Sequence, residues 1–160
     1  MTRRVPMVAL LAALLFSGLL STAVAADSSG PLPLPDTMAA VGDSITQAAS
    51  TGGSLGADYP QNSWSTGTSS TVNSHYLRLL ALGAPISGQN YNRSVSGAKA
   101  AGLNAQMLTL ADLDPEYLTV QIGGNDLCTD TVAQMTSVED FRAQFAAAMG
   151  TVATVSPNTH

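Results

Sequence analysis

The sequence has 160 residues, the size of one typical domain. Hydrophobic residues make up 45% of it and charged residues 11%, so the chain is expected to fold rather than stay disordered. The formal net charge is −5, and only 6 residues are lysine or arginine. So few cations cannot neutralise a row of phosphates, which argues against nucleic acid as a partner.

Residues 1–25 have the pattern of a cleaved signal peptide. Two arginines precede an apolar run over residues 7–20, and Ala23-Val24-Ala25 matches the A-x-A cleavage pattern. A membrane-spanning helix is the alternative, but it needs roughly 20 apolar residues. Ser17-Gly18 interrupts the run. We therefore expect a secreted, extracellular protein with no stable membrane anchor after cleavage.

The first half of the mature chain is poor in regular structure. A Pro-rich leader over residues 26–36 precedes the first predicted strand, Met38 to Val41, and a short helix is predicted from Ser44 to the glycines at 52 and 53. Residues 50–70 predict a long loop, which is unusual in a compact domain unless it has a function. Tyr59 and Trp64 in this loop could line a pocket or fill the loop's own small core.

Helices and strands alternate through the second half. Apolar spacing predicts a helix over residues 72–82, a strand over 89–95 and a helix over 98–110. A third strand is predicted over residues 117–122, and a helix over 138–149 carries acidic residues in its first turn, where the helix dipole favours them. This alternation predicts an α/β fold with a parallel sheet covered on both faces.

Each of the three predicted strands is followed by small polar residues. The segments are Gly42-Asp43-Ser44, Ser94-Val95-Ser96-Gly97 and Gly123-Gly124-Asn125-Asp126. Sites in open α/β sheets form at the carboxyl ends of strands. A turn after a strand would expose the Ser44 hydroxyl as a nucleophile. The alternative is a helix N-cap serine, and the triplet alone favours that cap.

Two other serines match patterns of catalytic nucleophiles. Gly52-Gly53-Ser54-Leu55-Gly56 fits the G-x-S-x-G elbow, but no strand precedes it and no helix follows. Ser96-Gly97-Ala98-Lys99 fits S-x-x-K, but the companion elements of that motif are absent. We discount both. The glycine patterns of phosphate-binding and dinucleotide-binding loops are also absent, which argues against a nucleotide-binding domain.

Taken in order, the three polar segments resemble the first three blocks of the SGNH hydrolase superfamily, also called GDSL esterases/lipases. The resemblance covers about residues 37–149 and includes Asn92 and Ser94 in the second block. It implies a flavodoxin-like three-layer α/β/α sandwich over residues 37–160. It also implies hydrolysis of small-molecule or lipid carboxylic esters, with no organic cofactor and no metal.

The resemblance assigns a role to one residue in each block. Ser44 would be the nucleophile, and its own N–H would be one oxyanion donor. The N–H of Gly97 would be a second donor and the side-chain amide of Asn125 a third. This agrees with the chemistry, because fixed donors stabilise the charge that develops on the carbonyl oxygen during attack. The alternatives are a turn glycine at 97 and an Asx-turn residue at 125.

The catalytic base of the superfamily comes from a late Asp-x-x-His block, and neither histidine here matches it. His75 follows Val72 by three residues, and His160 follows Pro157 by three. We therefore expect a domain that is incomplete at its C-terminus, and the lone Cys128 fits a disulfide partner in a later segment. Two hypotheses stay open. One is a secreted serine ester hydrolase, and the other is a non-catalytic remnant or binding module that lacks the base.

Overall fold

The structure is a computed structural model that describes residues 33–160. The predicted signal peptide and the first part of the predicted leader lie outside these residues. Residues 33–36, the described part of the leader, contain no helix or strand, as expected. The strands are β1 Met38–Gly42, β2 Asn90–Asn92 and β3 Tyr117–Gln121. The helices are α1 His75–Ala81, α2 Ala100–Leu108, α3 Gly124–Leu127 and α4 Val138–Val155, with 3₁₀ turns at Pro60–Asn62 and Val132–Gln134.

The three strands form one parallel sheet in the order β2-β1-β3. Met38 at the start of β1 lies beside Asn90 of β2 and Tyr117 of β3, so all three strands begin at one edge and end at the other. The central strand is buried along its whole length. The predicted α/β class with a parallel sheet is therefore confirmed.

Alternating residues of β1 pack on opposite faces of the sheet, as the two-residue period of a strand requires. On one face Ala39 and Val41 join a core with α2 and α4, whose other buried members are Leu103, Met107, Leu110, Ala148 and Val152. On the other face Met38 packs with Tyr76 of α1 and with Ala84 and Ile86. The helices thus cover both faces and produce the three layers of an α/β/α sandwich.

Side-chain caps determine where two helices begin. The Ser74 hydroxyl oxygen accepts a hydrogen bond from the Leu77 N–H at 3.1 Å, so α1 begins at His75 rather than at the predicted Val72. Ser137 caps α4 in the same way through the Asp140 N–H at 3.0 Å. Helix α4 continues six residues beyond its predicted end and stops before Pro157, which cannot continue a helix.

The predicted helix after Ser44 is wrong, because residues 43–50 form a series of turns instead. Tertiary partners take the hydrogen bonds that a helix would use. The Thr46 carbonyl accepts from the Asn92 side chain at 2.9 Å, and the Ser50 N–H donates to the Ala57 carbonyl at 2.9 Å. In a helix these two groups would bond to each other. Ala48 and Ser50 also have positive φ, at 53° and 66°, which no α-helix contains.

The long polar loop is confirmed, and its aromatic residues fill local space. Residues 52–56, the G-x-S-x-G match, are exposed turns and bends without a flanking strand or helix. The hydroxyl of Tyr59 accepts a hydrogen bond from the Ser54 N–H at 2.7 Å, so this ring packs within its own loop. The Trp64 ring packs edge-on against His75, with 5.1 Å between the ring centroids.

Candidate active site

The three polar segments meet at the carboxyl edge of the sheet. The Gly42 carbonyl accepts a hydrogen bond from the Val95 N–H at 3.1 Å, which joins the first segment to the second. The side-chain amide of Asn125 donates to the Ala98 carbonyl at 2.8 Å, and the Ala100 N–H donates to Asp126 Oδ2 at 2.9 Å. These two bonds join the third segment to the residues that directly follow the second segment. The parallel sheet therefore brings together the segments that carry Ser44, Gly97 and Asn125.

Ser44 lies in a tight turn directly after β1 and is half-buried. The preceding Asp43 is 1% exposed, and its Oδ1 accepts from the Ile45 N–H at 2.9 Å, which shapes the turn around Ser44. Among residues 33–160, the Ser44 hydroxyl and the Ser44 N–H have no hydrogen-bond partner. A free hydroxyl and a free N–H are what a nucleophile and an oxyanion donor require.

Gly97 lies at the tip of the loop after β2 and is exposed. Its φ is +80°, and a side chain there would meet no atom within 4 Å. Glycine is therefore favoured at this position by the left-handed backbone conformation and not by a lack of space for a side chain. Within the described part of the chain the Gly97 N–H donates no hydrogen bond, so it is available to an oxygen atom of a ligand.

Asn125 lies in the short helix α3 that follows β3. Its side-chain NH₂ group has two hydrogens, and only one of them is used in the bond to Ala98. The bond to Ala98 fixes the orientation of the amide while the second hydrogen stays available. This geometry is compatible with the predicted oxyanion donor, and that role stays a prediction.

Two buried aspartates lie next to predicted site residues, and the sequence analysis assigned no role to either. Asp43 precedes Ser44, Asp126 follows Asn125, and each side chain is 1% exposed. Each carboxylate uses one oxygen to hold a backbone N–H, and the other oxygen, Asp43 Oδ2 or Asp126 Oδ1, has no partner in residues 33–160. A signal was present in the sequence, since both are acidic residues directly beside a predicted site residue at a strand end.

Both histidines of the chain lie at the opposite edge of the sheet. His75 Nδ1 is 2.7 Å from the hydroxyl of Tyr117, the first residue of β3. The backbone of His160 pairs with Glu116 and Leu118 around the same end of that strand. The length of β1, about 13 Å at ~3.3 Å per residue, separates this edge from Ser44. Neither imidazole is placed to accept the Ser44 proton.

An apolar cavity of about 360 Å³ opens beside the third segment. It is lined by Ile122, Gly123, Asp126, Leu127, Thr136, Val138 and Phe141. Its lining includes Gly123, which precedes α3, and Asp126 and Leu127 of α3, the helix that also carries Asn125; Asn125 itself is not among the lining residues. Its volume is at the lower end of the range of ~300–1,000 Å³ that is typical of small-molecule pockets.

The described residues contain no group of three or more His, Cys, Asp or Glu side chains that could hold a metal ion. Across residues 33–160, no helix is both long enough and apolar enough to cross a bilayer. Cys128 is exposed, and its thiol is free in this part of the chain.

Comparison with known proteins identifies the family. Residues 40–160 match the GDSL-like lipase/acylhydrolase family. A crystal structure of a "putative GDSL-like lipase" from Parabacteroides merdae ATCC 43184 is similar with a TM-score of 0.58 and 22% sequence identity. The similarity covers 81% of this chain but 59% of that one, so this chain spans about three fifths of the solved protein. Compared with the curated proteins, the chain has no significant match.

Proposed function

Because the chain belongs to the GDSL-like lipase/acylhydrolase family, we propose that it carries the nucleophile and oxyanion hole of a secreted carboxylic ester hydrolase. The observation that carries this proposal is the meeting of three separate segments at one sheet edge through the Gly42–Val95 and Ala98–Asn125 hydrogen bonds. Export is proposed from the signal-peptide pattern of residues 1–25 alone.

In the proposed reaction the Ser44 hydroxyl attacks the ester carbonyl carbon and gives up its proton to a base. The carbonyl oxygen becomes an oxyanion, and the tetrahedral intermediate then expels the alcohol, whose oxygen takes the proton back from the base, to leave an acyl-Ser44 ester. Water then attacks this ester with the help of the same base, which releases the carboxylic acid and restores the Ser44 hydroxyl. The free N–H groups of Ser44 and Gly97 and the second amide hydrogen of Asn125 would stabilise the oxyanion. The Asn125 amide is held by its bond to Ala98, and the Ser44 turn is held by the bond from the Ile45 N–H to Asp43. These two donors would therefore need little reorganisation during attack.

The acyl group of the ester would occupy the apolar cavity lined by Gly123, Leu127 and Phe141. Leu127 and Val138 are exposed there, with 62% and 88% of their surface accessible, and an acyl chain would cover part of this surface. A cavity of about 360 Å³ favours small esters over long-chain lipids. We therefore expect turnover to fall as the acyl chain becomes longer than the cavity can hold.

A second candidate function is a binding module with no catalytic activity. It is favoured by the position of His75 and His160, which leaves Ser44 without an imidazole base in this chain. A serine hydroxyl without a base is a weak nucleophile at neutral pH. The two candidates differ in one measurable respect, namely whether supplying a base produces turnover that depends on Ser44.

The test is hydrolysis of short-chain 4-nitrophenyl esters with and without added imidazole, using Ser44→Ala as the control. We expect low turnover by the 160-residue chain alone, and turnover that rises with imidazole concentration only when Ser44 is present. Equal rates for the wild type and Ser44→Ala at every imidazole concentration would refute the nucleophile assignment. Saturable binding of a non-hydrolysable ketone analogue without such turnover would favour the binding module.

A further inference from the structure

Gln106 holds the residue at which β1 ends. It lies in α2, and its side chain is 4% exposed. Its Oε1 accepts a hydrogen bond from the Gly42 N–H at 2.7 Å, and its Nε2 donates to the Gly42 carbonyl at 2.9 Å. One side-chain amide thus satisfies both backbone groups of one residue, 64 positions away in the sequence.

The position of Gly42 in the sheet explains why such a partner is needed. On the β2 side of β1, the Met38 N–H bonds to Gln89 and the Ala40 carbonyl bonds to Arg93. Strand β2 ends at Asn92, and the chain then bends because Asn92 Oδ1 accepts from the Ser94 N–H at 3.1 Å. The Gly42 N–H is therefore left without a strand partner, and a buried N–H without a hydrogen bond destabilises the folded state. The amide of Gln106 has the same donor and acceptor groups as a peptide and takes the place of the missing strand.

The Gly42 carbonyl also connects two parts of the candidate site. The Gly42 oxygen accepts from Gln106 and, at 3.1 Å, from the Val95 N–H. Ser44 is two residues beyond Gly42, and Gly97 is two residues beyond Val95. Movement at this carbonyl would change the separation between the proposed nucleophile and a proposed oxyanion donor.

We propose that Gln106 is a positioning residue, which holds the Ser44 turn and the Gly97 loop in the relative geometry that ester attack requires. The proposal rests on the proposed function of this site. Gln106 touches neither the substrate nor the reacting atoms in this proposal, and it acts through Gly42. The geometry points to this role because both hydrogen bonds of the Gln106 side chain are made to Gly42, the residue that leads into the Ser44 turn.

The test compares Gln106→Leu and Gln106→Glu with Gln144→Leu. The first variant removes both bonds. In the second, the ionised carboxylate still accepts from the Gly42 N–H but cannot donate to the carbonyl. Gln144 lies in α4, is half-buried, and has no hydrogen bond to its Oε1 within the described residues, so its replacement by leucine is a matched control. The measurements are amide hydrogen exchange at Gly42, amide chemical shifts of Ser44 and Gly97, and imidazole-supported turnover.

For Gln106→Leu we expect faster exchange at Gly42, shifted Ser44 and Gly97 amides, and a kcat lower by about 10- to 100-fold at a nearly unchanged KM. Gln106→Glu should lie between this variant and the wild type, and Gln144→Leu should resemble the wild type. Unchanged kcat despite faster exchange at Gly42 would overturn the proposal. If the wild type has no Ser44-dependent turnover, the proposed function fails. The amide chemical shifts of Ser44 and Gly97 then test by themselves whether Gln106 positions the two segments. Shifts at both Ser44 and Gly97 then support positioning, and unshifted amides refute it.

Discussion

The Nδ1 atom of His75 lies 2.7 Å from the hydroxyl oxygen of Tyr117. The two rings are stacked with 6.0 Å between their centroids, and Trp64 packs against the same imidazole in a T-shaped arrangement. These contacts hold His75 at the amino-terminal edge of the sheet, away from Ser44. His75 is therefore a structural residue that connects α1, β3 and the long polar loop.

Replacing His75 with alanine should reduce stability and leave Ser44 chemistry unchanged. The variant loses the Tyr117 hydrogen bond and the aromatic contacts, which together are worth about 1–3 kcal/mol. Urea unfolding would measure the loss, and imidazole-supported ester turnover would be measured below the transition. A stable variant that had lost Ser44-dependent turnover would show that His75 takes part in catalysis after all.

The pKa of His75 predicts how the stability of the protein changes with pH. Partial burial, together with the nearby Arg78 guanidinium, lowers this pKa below its ordinary value of 6.5. Between the folded and unfolded pKa values the unfolded chain binds more protons, so the free energy of unfolding falls as the pH drops below 6.5. The stability that depends on a neutral His75 imidazole is fully present above pH 6.5 and is lost as the pH falls through the pKa of His75 in the folded protein.

The measurement is the urea midpoint of the wild type and of His75→Gln at pH 7.5 and at pH 5.5. Glutamine does not titrate in this range, so the difference between the two proteins isolates the imidazole. We expect the wild type to lose more stability than His75→Gln on acidification. An identical loss in both proteins would contradict the depressed pKa.

Asn125→Ala should reduce turnover far more than stability. Loss of one oxyanion donor typically lowers kcat by about 10²–10³-fold, whereas the lost bond to Ala98 is worth about 1 kcal/mol. Asn104→Ala is a matched control, because Asn104 of α2 accepts a hydrogen bond from Thr151 and lies outside the site. Equal kcat values for the two variants would show that Asn125 is not an oxyanion donor.

Gly42→Ala should be severely destabilising. The φ of Gly42 is +145°, and a Cβ there would lie 2.0 Å from the Gln121 carbonyl oxygen, a backbone atom that cannot move aside. Gly102→Ala is the opposite case, because a Cβ at Gly102 in α2 meets no atom within 4 Å. Alanine there should stabilise the protein by roughly 0.5–1 kcal/mol. Thermal unfolding of both variants would measure the two changes in stability. A small loss of stability in Gly42→Ala would show that the Gln121 backbone can shift away from an added Cβ.

Several elements could be predicted from the sequence because their signals are local. The apolar run into Gly42 and the β-rich Tyr117–Gln121 segment predicted two strands correctly, and the alternation of elements predicted the parallel α/β sheet. The three polar segments predicted the family, which the match over residues 40–160 confirms. Ser44, Gly97 and Asn125 stay predictions as catalytic residues.

Other features depended on partners that are distant in the chain. The turns after Ser44 replace the predicted helix because Asn92 and Ala57 take its hydrogen bonds. Gln106 gave no sequence signal, because a glutamine in a helix is usually exposed and its function here depends on where β2 ends.

The sequence by itself determined which residue types are available to the site and which of them follow strands. Only the tertiary structure decided that Gly42, Val95 and Gln106 share one set of hydrogen bonds. It also decided that both histidines lie at the other edge of the sheet. The physical reason is that strand ends and side-chain chemistry are local properties, whereas the partner of a buried polar group is whatever group the packed chain brings within hydrogen-bond distance.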